Sequence, residues 1–217
     1  MSKIIAITNQ KGGVGKTTTA INLSASLATM EKKILLVDID SQAQSTTGVG
    51  IDKKGVEYSI YEMILQEVSE EDSATVEEAI CKTQLDYLHL LPASSDLAGI
   101  DAELFKSLAR EYRLKKILSP IREKYDFVFI DCPPSINILT INSLVAADSI
   151  LIPVQCEYYA LEGLADLLNT IKLIHKSING RLEIEGALLT MFDSRLNLSK
   201  QVADDVKDFF SDKLFNT

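Results

Sequence analysis

Three glycines, Gly12, Gly13 and Gly15, stand beside two lysines, Lys11 and Lys16, in the stretch NQKGGVGKTTT, where two hydroxyl residues, Thr17 and Thr18, follow at once. Backbone without side chains lets N–H groups approach a polyanion closely, and glycine tolerates the left-handed conformations such a loop needs. A helix opening near Lys16 aims its unsatisfied N–H groups and positive dipole end at the same anion. The spacing Gly15-Lys16-Thr17, between an apolar run and a helical pattern, is the core of a P-loop. It predicts Lys16 on the β and γ phosphates of a nucleotide, the Thr17 hydroxyl on Mg2+ and Thr18 near the α-phosphate. The backbone of Gly12, Gly13 and Val14 completes the predicted cradle. The usual motif opens with a glycine six residues before the lysine. Gln10 stands there instead, so the loop is a variant and Lys11 needs a role of its own.

Carboxylates are the expected counterpart, because Mg2+ takes hard oxygen ligands. Asp131 follows four apolar residues in FVFIDCPPS, the arrangement in which a strand-end carboxylate holds Mg2+ directly or through water. Asp38 and Asp40 lie in LLVDIDSQAQSTTG, and they are expected on opposite sides of that strand's end, with Asp38 structural or supporting the metal. No histidine or glutamate presents itself as a strong general base, so hydrolysis is expected to rest on positioning and charge stabilisation and to be slow without a partner.

The elements that must carry these residues are legible as apolar runs. KIIAIT, KILLVDID, YLHLLP, DFVFID, SILIPV and IEGALLTM are mostly continuous rather than alternating, as strands covered on both faces are. Helical spacing appears between them, at Ala20, Leu23, Leu27 and Met30, and again at Leu161, Leu164, Leu168, Ile171 and Ile174. Alternating strands and helices predict an α/β fold: an open, mostly parallel twisted sheet with helices on both faces and a ligand site at the carboxyl ends of the strands. The acidic segment 67–78 reads as a solvated loop and helix start. After the last helical pattern no closing strand or helix follows to cover the sheet edge.

Composition excludes several classes. A chain of 217 residues, 46% hydrophobic, can build one core, so a single domain over 1–217 is expected. No stretch approaches the roughly 20 apolar residues of a membrane span, and MSKIIAIT lacks the features of a signal peptide, which points to the cytoplasm. Cys81, Cys132 and Cys156 show no paired spacing and suit reduced thiols. Cys132 beside Asp131 reads as a buried thiol rather than a cluster ligand. His89 and His175 have no ligand-spaced neighbours. A net charge of −9 argues against a generally basic nucleic-acid binder, though a local cationic patch can still act.

The loop KGGVGKTT resembles the deviant Walker A loop of the ParA and MinD family of ATPases. That resemblance implies that Lys11 is the signature lysine, reaching across an ATP-dependent homodimer to the phosphates bound by the other subunit. VDIDSQAQSTTG, DCPPS, LTINSL, IPVQCEYYALEGL and LLTMFDSRLNLSKQV are similar to the ParA or Soj type of partition ATPase, over essentially the whole chain. The resemblance implies a weak ATP hydrolase using ATP/ADP and Mg2+, nucleoid-associated, binding DNA without sequence preference and released when a ParB-type partner stimulates hydrolysis. It assigns Asp40 to the attacking water and the Mg2+ shell, and Ser41 replaces a proline common there. It places Arg195 at a DNA contact, with Lys200 nearby, and no membrane partner is expected. Tyr158 and Tyr159 are expected either at a dimer or partner surface or in a packed helix start. The first strand begins at residue 3, so an N-terminal helix-turn-helix domain is not expected. The family continues with a strand, a Pro-Arg loop for adenine and final helices, so the chain is expected to lack those parts. Two alternatives remain: a MinD-like membrane-recruited regulator of cell division, and a kinase or ligase for a small molecule.

Overall fold

The computed structural model describes residues 2–66, 74–157 and 160–215. Seven strands form one sheet: β1 (Lys3–Ile7), β2 (Ile34–Asp38), β3 (Cys81–Lys82), β4 (Leu88–Leu91), β5 (Phe127–Asp131), β6 (Ser149–Gln155) and β7 (Glu183–Thr190). Their order is β3-β4-β2-β5-β1-β6-β7, parallel throughout except where β3 pairs antiparallel with β4. All six apolar runs are strands. The two-residue β3 has no apolar signature of its own and escapes a reading based on such runs.

Nine α-helices lie among the described residues, the first eight between strands and the last after β7: α1 (Lys16–Thr29), α2 (Gln44–Gly48), α3 (Ile60–Leu65), α4 (Val76–Ala79), α5 (Ile100–Glu103), α6 (Arg113–Leu118), α7 (Ile138–Ala146), α8 (Ala160–Ser177) and α9 (Asn197–Phe210). Successive residues of the central strands feed two separate cores, as alternation on a pleated strand requires. Ile5, Ile7, Ile34, Leu36, Phe129 and Leu151 pack under α1. Ile4, Ala6, Leu35, Val37, Val128 and Ile130 join the larger core, to which α6, α7, α8 and α9 contribute Leu114, Leu144, Leu164 and Val206. Both faces of the middle strands are thereby dry, which explains their unbroken apolar runs.

Helix α1 turns its expected face to the sheet, with Ala20 buried and Leu23 and Leu27 packed at the margin of the core, except at Met30. It buries Lys16, Ala20, Ser24 and Ala28, a four-residue repeat of small side chains after the lysine, while Met30 lies at the helix end, 67% exposed. Small residues let α1 lie close to the strands, and of these the apolar spacing had selected Ala20 but not Ser24 or Ala28. In α8 the expected Leu164, Leu168, Ile171 and Ile174 are buried; the side chain of Leu161, like Tyr158, Tyr159 and residues 67–73, lies outside the described residues. The described end of the acidic segment is a helix start, where Thr75 and Glu78 form a capping box.

The β7 edge is less bare than the sequence suggests. After α9 the chain turns back, Leu214 bridges Ala187 in parallel, and Phe215 N–H donates to the Ala187 carbonyl at 2.9 Å. Gly186 permits this approach, since a Cβ there would lie 2.4 Å from the Lys213 carbonyl oxygen and 2.6 Å from the Phe215 ring. On the α1 side, a groove of about 840 Å³ runs from the glycine loop to Phe215, with Leu23, Leu151 and Leu188 in its wall.

Candidate active site

The strand order gathers the predicted residues. β5 lies between β2 and β1, so Asp131 is in register with Ile7, which leads into the glycine loop, and with Asp38. Loops leaving the carboxyl ends of three adjacent strands therefore converge. Gly13 (φ 76°) and Gly15 (φ 88°) adopt left-handed backbone that side-chain-bearing residues rarely tolerate. Gly15 is the N-cap of α1 and offers no side-chain acceptor, leaving the first amides of a 14-residue helix open to an anion.

Internal anchors hold the loop. Asn9 Nδ2 donates to the Pro153 carbonyl at 2.7 Å, its Oδ1 accepts from Lys11 N–H at 3.1 Å, and Thr190 Oγ1 donates to the Val14 carbonyl at 2.8 Å. The loop is thus tied to β6 and β7. Lys16 is buried and curls back to donate from Nζ to the Lys11 carbonyl at 3.0 Å. Burial lowers its pKa, opposed by the nearby Asp131, Cys132 and Asp40. A dehydrated ammonium in a cradle of amides is poorly compensated until an anion arrives. Lys11 points elsewhere, and its Nζ lies 2.7 Å from Glu157 Oε2, just past β6.

The two buried aspartates are held by hydroxyls that the sequence reading did not select. Ser45 Oγ donates to Asp131 Oδ2 at 2.7 Å, and Thr46 donates to Asp38 Oδ2 from both N–H (2.7 Å) and Oγ1 (2.8 Å). Thr46 Oγ1 also accepts from Ala93 N–H at 3.1 Å. The adjacent hydroxyls Ser45 and Thr46, five and six residues past Asp40, were an available signal. Burial raises Asp38 to about 7, with Asp131 adding repulsion and the bonds from Thr46 and Asp40 opposing it. Burial likewise raises Asp131 to about 6, with Ser45, Thr17 and Lys16 favouring the ionised form and Asp40 disfavouring it. Asp131 Oδ1 is buried with no partner among the described residues. An orphaned carboxylate oxygen next to the Thr17 hydroxyl fits a hard divalent cation that keeps most of its water, as Mg2+ does.

Asp40 stands near enough to influence both Asp131 and Lys16. The expectation that Asp38 and Asp40 face opposite sides is corrected. Residues two apart on a strand share a face, and β2 ends at Asp38, after which Asp40 begins a turn, its Oδ1 accepting Gln42 N–H at 3.0 Å. Asp38 is wholly inside and fastens the turn through Asp40 N–H at 3.2 Å.

The remaining predicted residues lie apart from this cluster. Arg195 is in the loop between β7 and α9, 86% exposed, with its guanidinium engaged by Asp193 at 2.6 Å. Lys200 is exposed in the first turn of α9. Burial pushes the Cys132 thiol up to about 12, which leaves it inert beside Asp131. His89 pairs with Tyr125 through Nδ1 at 3.0 Å, away from the loop residues.

A sequence model described as an AAA domain matches residues 2–184. The chain is 52% identical over 217 residues to the sporulation initiation inhibitor protein Soj of Bacillus subtilis, covering 100% of this chain and 83% of that protein. It is 49% identical to the chromosome partitioning protein ParA of Myxococcus xanthus, covering 99% and 74%. The chain belongs to the ParA/Soj family of ATPases. Among solved structures it superposes on a cobyrinic acid a,c-diamide synthase from Mycobacterium smegmatis with bound ADP and magnesium, at TM-score 0.88 and 38% identity, covering 97% of this chain and 83% of that one. Within this ParA/Soj-type chain, no described helix is long and apolar enough to cross a membrane.

Proposed function

We propose that the chain is an ATP-driven switch for DNA segregation, which dimerises around MgATP, binds DNA without sequence preference, and lets go when a ParB-type partner stimulates hydrolysis. The observation that carries this reading is the division of labour between two lysines. Lys16 is buried inside the cradle beside Asp131, whereas Lys11 leaves the cradle and reaches an acidic partner outside it. A single-subunit hydrolase has no evident use for the second cation; a two-subunit site does.

In this reading the amides of Gly12, Gly13, Val14, Gly15, Lys16, Thr17 and Thr18 grip the phosphates. Lys16 neutralises the β and γ groups, and Lys11 serves the nucleotide of the facing subunit. The Thr17 hydroxyl and Asp131, with Asp40 close by, would hold Mg2+, which when bound would supply further neutralisation of phosphate charge. Asp40 orients the attacking water. No strong base sits in the cluster, so turnover waits for a partner to complete the geometry. Arg195 and Lys200 contribute the DNA contact, and pairing two subunits doubles the few cations that an acidic chain can offer.

The 52% identity to a Soj protein outweighs the 38% identity to a synthase, and so favours the partition role over small-molecule chemistry. Sedimentation of the chain with plasmid DNA and with anionic vesicles, with and without MgATP, tests the proposal. ATP-dependent pelleting with DNA is expected; pelleting with vesicles alone would replace it with a membrane-recruited switch.

A further inference from the structure

Glu157 has no part in the phosphate site, yet it is the counterion of the lysine on which a two-subunit site depends. It follows β6, and its N–H donates to the Gln155 carbonyl at 2.8 Å in a tight turn. The Gln155 side-chain amide donates to Glu157 Oε1, and Lys11 Nζ lies 2.7 Å from Oε2. Both carboxylate oxygens are therefore occupied, and the carboxylate is oriented before the lysine arrives. The loop end of Lys11 is fixed as well, since Asn9 Oδ1 holds its N–H and Asn9 is itself tied to Pro153 on β6. Two points on β6 and its turn thus fix the direction of the Lys11 side chain.

The ion pair is partly solvated, with side-chain exposures of 32% for Lys11 and 49% for Glu157. Such a pair is weak enough to open under competition. A terminal phosphate presented by another subunit carries more negative charge than a single carboxylate and offers the same ammonium charge-assisted bonds of its own, so it competes for Lys11. Glu157 repels that phosphate if it stays close.

We infer that Glu157, oriented by Gln155, is a positioning residue that latches Lys11 to its own subunit and sets the ATP-dependent threshold at which the chain dimerises. This rests on the two-subunit reading above. Each dimer opens two latches, so the effect of one substitution enters twice. With exposed pairs contributing roughly 0.2–1 kcal/mol each, Glu157→Gln tightens the MgATP dimer by about 2- to 30-fold.

Two measurements test the latch. In the nucleotide-free chain, acetylation of Lys11 read by mass spectrometry should be faster in Glu157→Gln, by up to about 5-fold, since the amine loses its counterion. With MgATP, sedimentation equilibrium should show the tighter dimer. Unchanged acetylation, or a dimer that is unaltered or weaker, overturns the latch. If acetylation rises while the wild-type chain stays monomeric with MgATP, the pair is real and the two-subunit reading fails instead.

Discussion

Replacing Thr46 by valine removes one hydroxyl and keeps the shape, and the structure sets what that hydroxyl does. It donates to the buried Asp38 carboxylate at 2.8 Å and accepts the Ala93 N–H at 3.1 Å, with Ala93 itself buried. A hydrogen bond to a charged group contributes about 1.5–3 kcal/mol, and an abandoned buried N–H costs about 1–3 kcal/mol, so Thr46→Val should destabilise the chain by roughly 2.5–6 kcal/mol. The penalty should also depend on pH. Asp38 titrates near 7 in the folded chain because burial raises it, and the Thr46 bond favours its ionised form. Removing that bond raises the folded pKa further. A carboxyl whose folded pKa lies above its unfolded value binds more protons when folded, so its contribution to stability falls as pH rises through the interval between them. The variant should therefore lose most above about pH 8. At pH 5, where the carboxyl is neutral, it should lose about 1 kcal/mol less, the difference between a charged and a neutral hydrogen bond. Urea denaturation at the two pH values, in chelator and without nucleotide, measures both quantities. A loss under about 1 kcal/mol, or a larger loss at pH 5 than at pH 8, would refute the assignment of Thr46 as the clamp on Asp38.

The phosphate site yields further expectations. Lys16→Ala should weaken ATP binding by roughly 10- to 150-fold for each charge-assisted bond removed, and calorimetry with MgATP giving the wild-type affinity would contradict the cradle. Asp40→Ala should still form the ATP dimer yet hydrolyse at least about tenfold more slowly, because the water loses its orientation; turnover equal to wild type, read as released phosphate, would remove Asp40 from that task. Arg195→Glu should dimerise normally and lower the slope of log affinity for DNA against log salt by about 2 per dimer, near 0.9 for each DNA phosphate that is no longer neutralised. A slope unchanged in a filter-binding series would take Arg195 out of the DNA surface. Its present pairing with Asp193 means that binding DNA requires the guanidinium to trade one anion for another.

Much of this protein is written in local pattern. The six apolar runs, the glycine spacing before Lys16 and the strand-end position of Asp131 each depend on residues within a few positions of one another, and both the parallel sheet and the loop follow from them. The same locality explains the misses. The most deeply buried line of α1 is decided by how near the strands lie, which adds Ser24 and Ala28 beside the selected Ala20 and leaves Leu23 and Leu27 at the margin of the core. The β3 pairing and the return of Leu214 to Ala187 are edge contacts between distant segments, and neither leaves a run in the chain.

Residue types and spacing alone predicted a cradle for a polyanion at residues 11–18 and a strand-end carboxylate at 131 beside it, and the structure brings the two segments together at the carboxyl ends of β1 and β5. Only the tertiary structure decided which side chains govern those groups. Ser45 on Asp131, Thr46 on Asp38 and Glu157 on Lys11 are separated from their partners by 86, 8 and 146 positions. A hydrogen bond or ion pair requires two groups within about 3 Å of each other. For the long pairs, that distance is set by the order of strands in the sheet, which the spacing of residues along the chain does not contain.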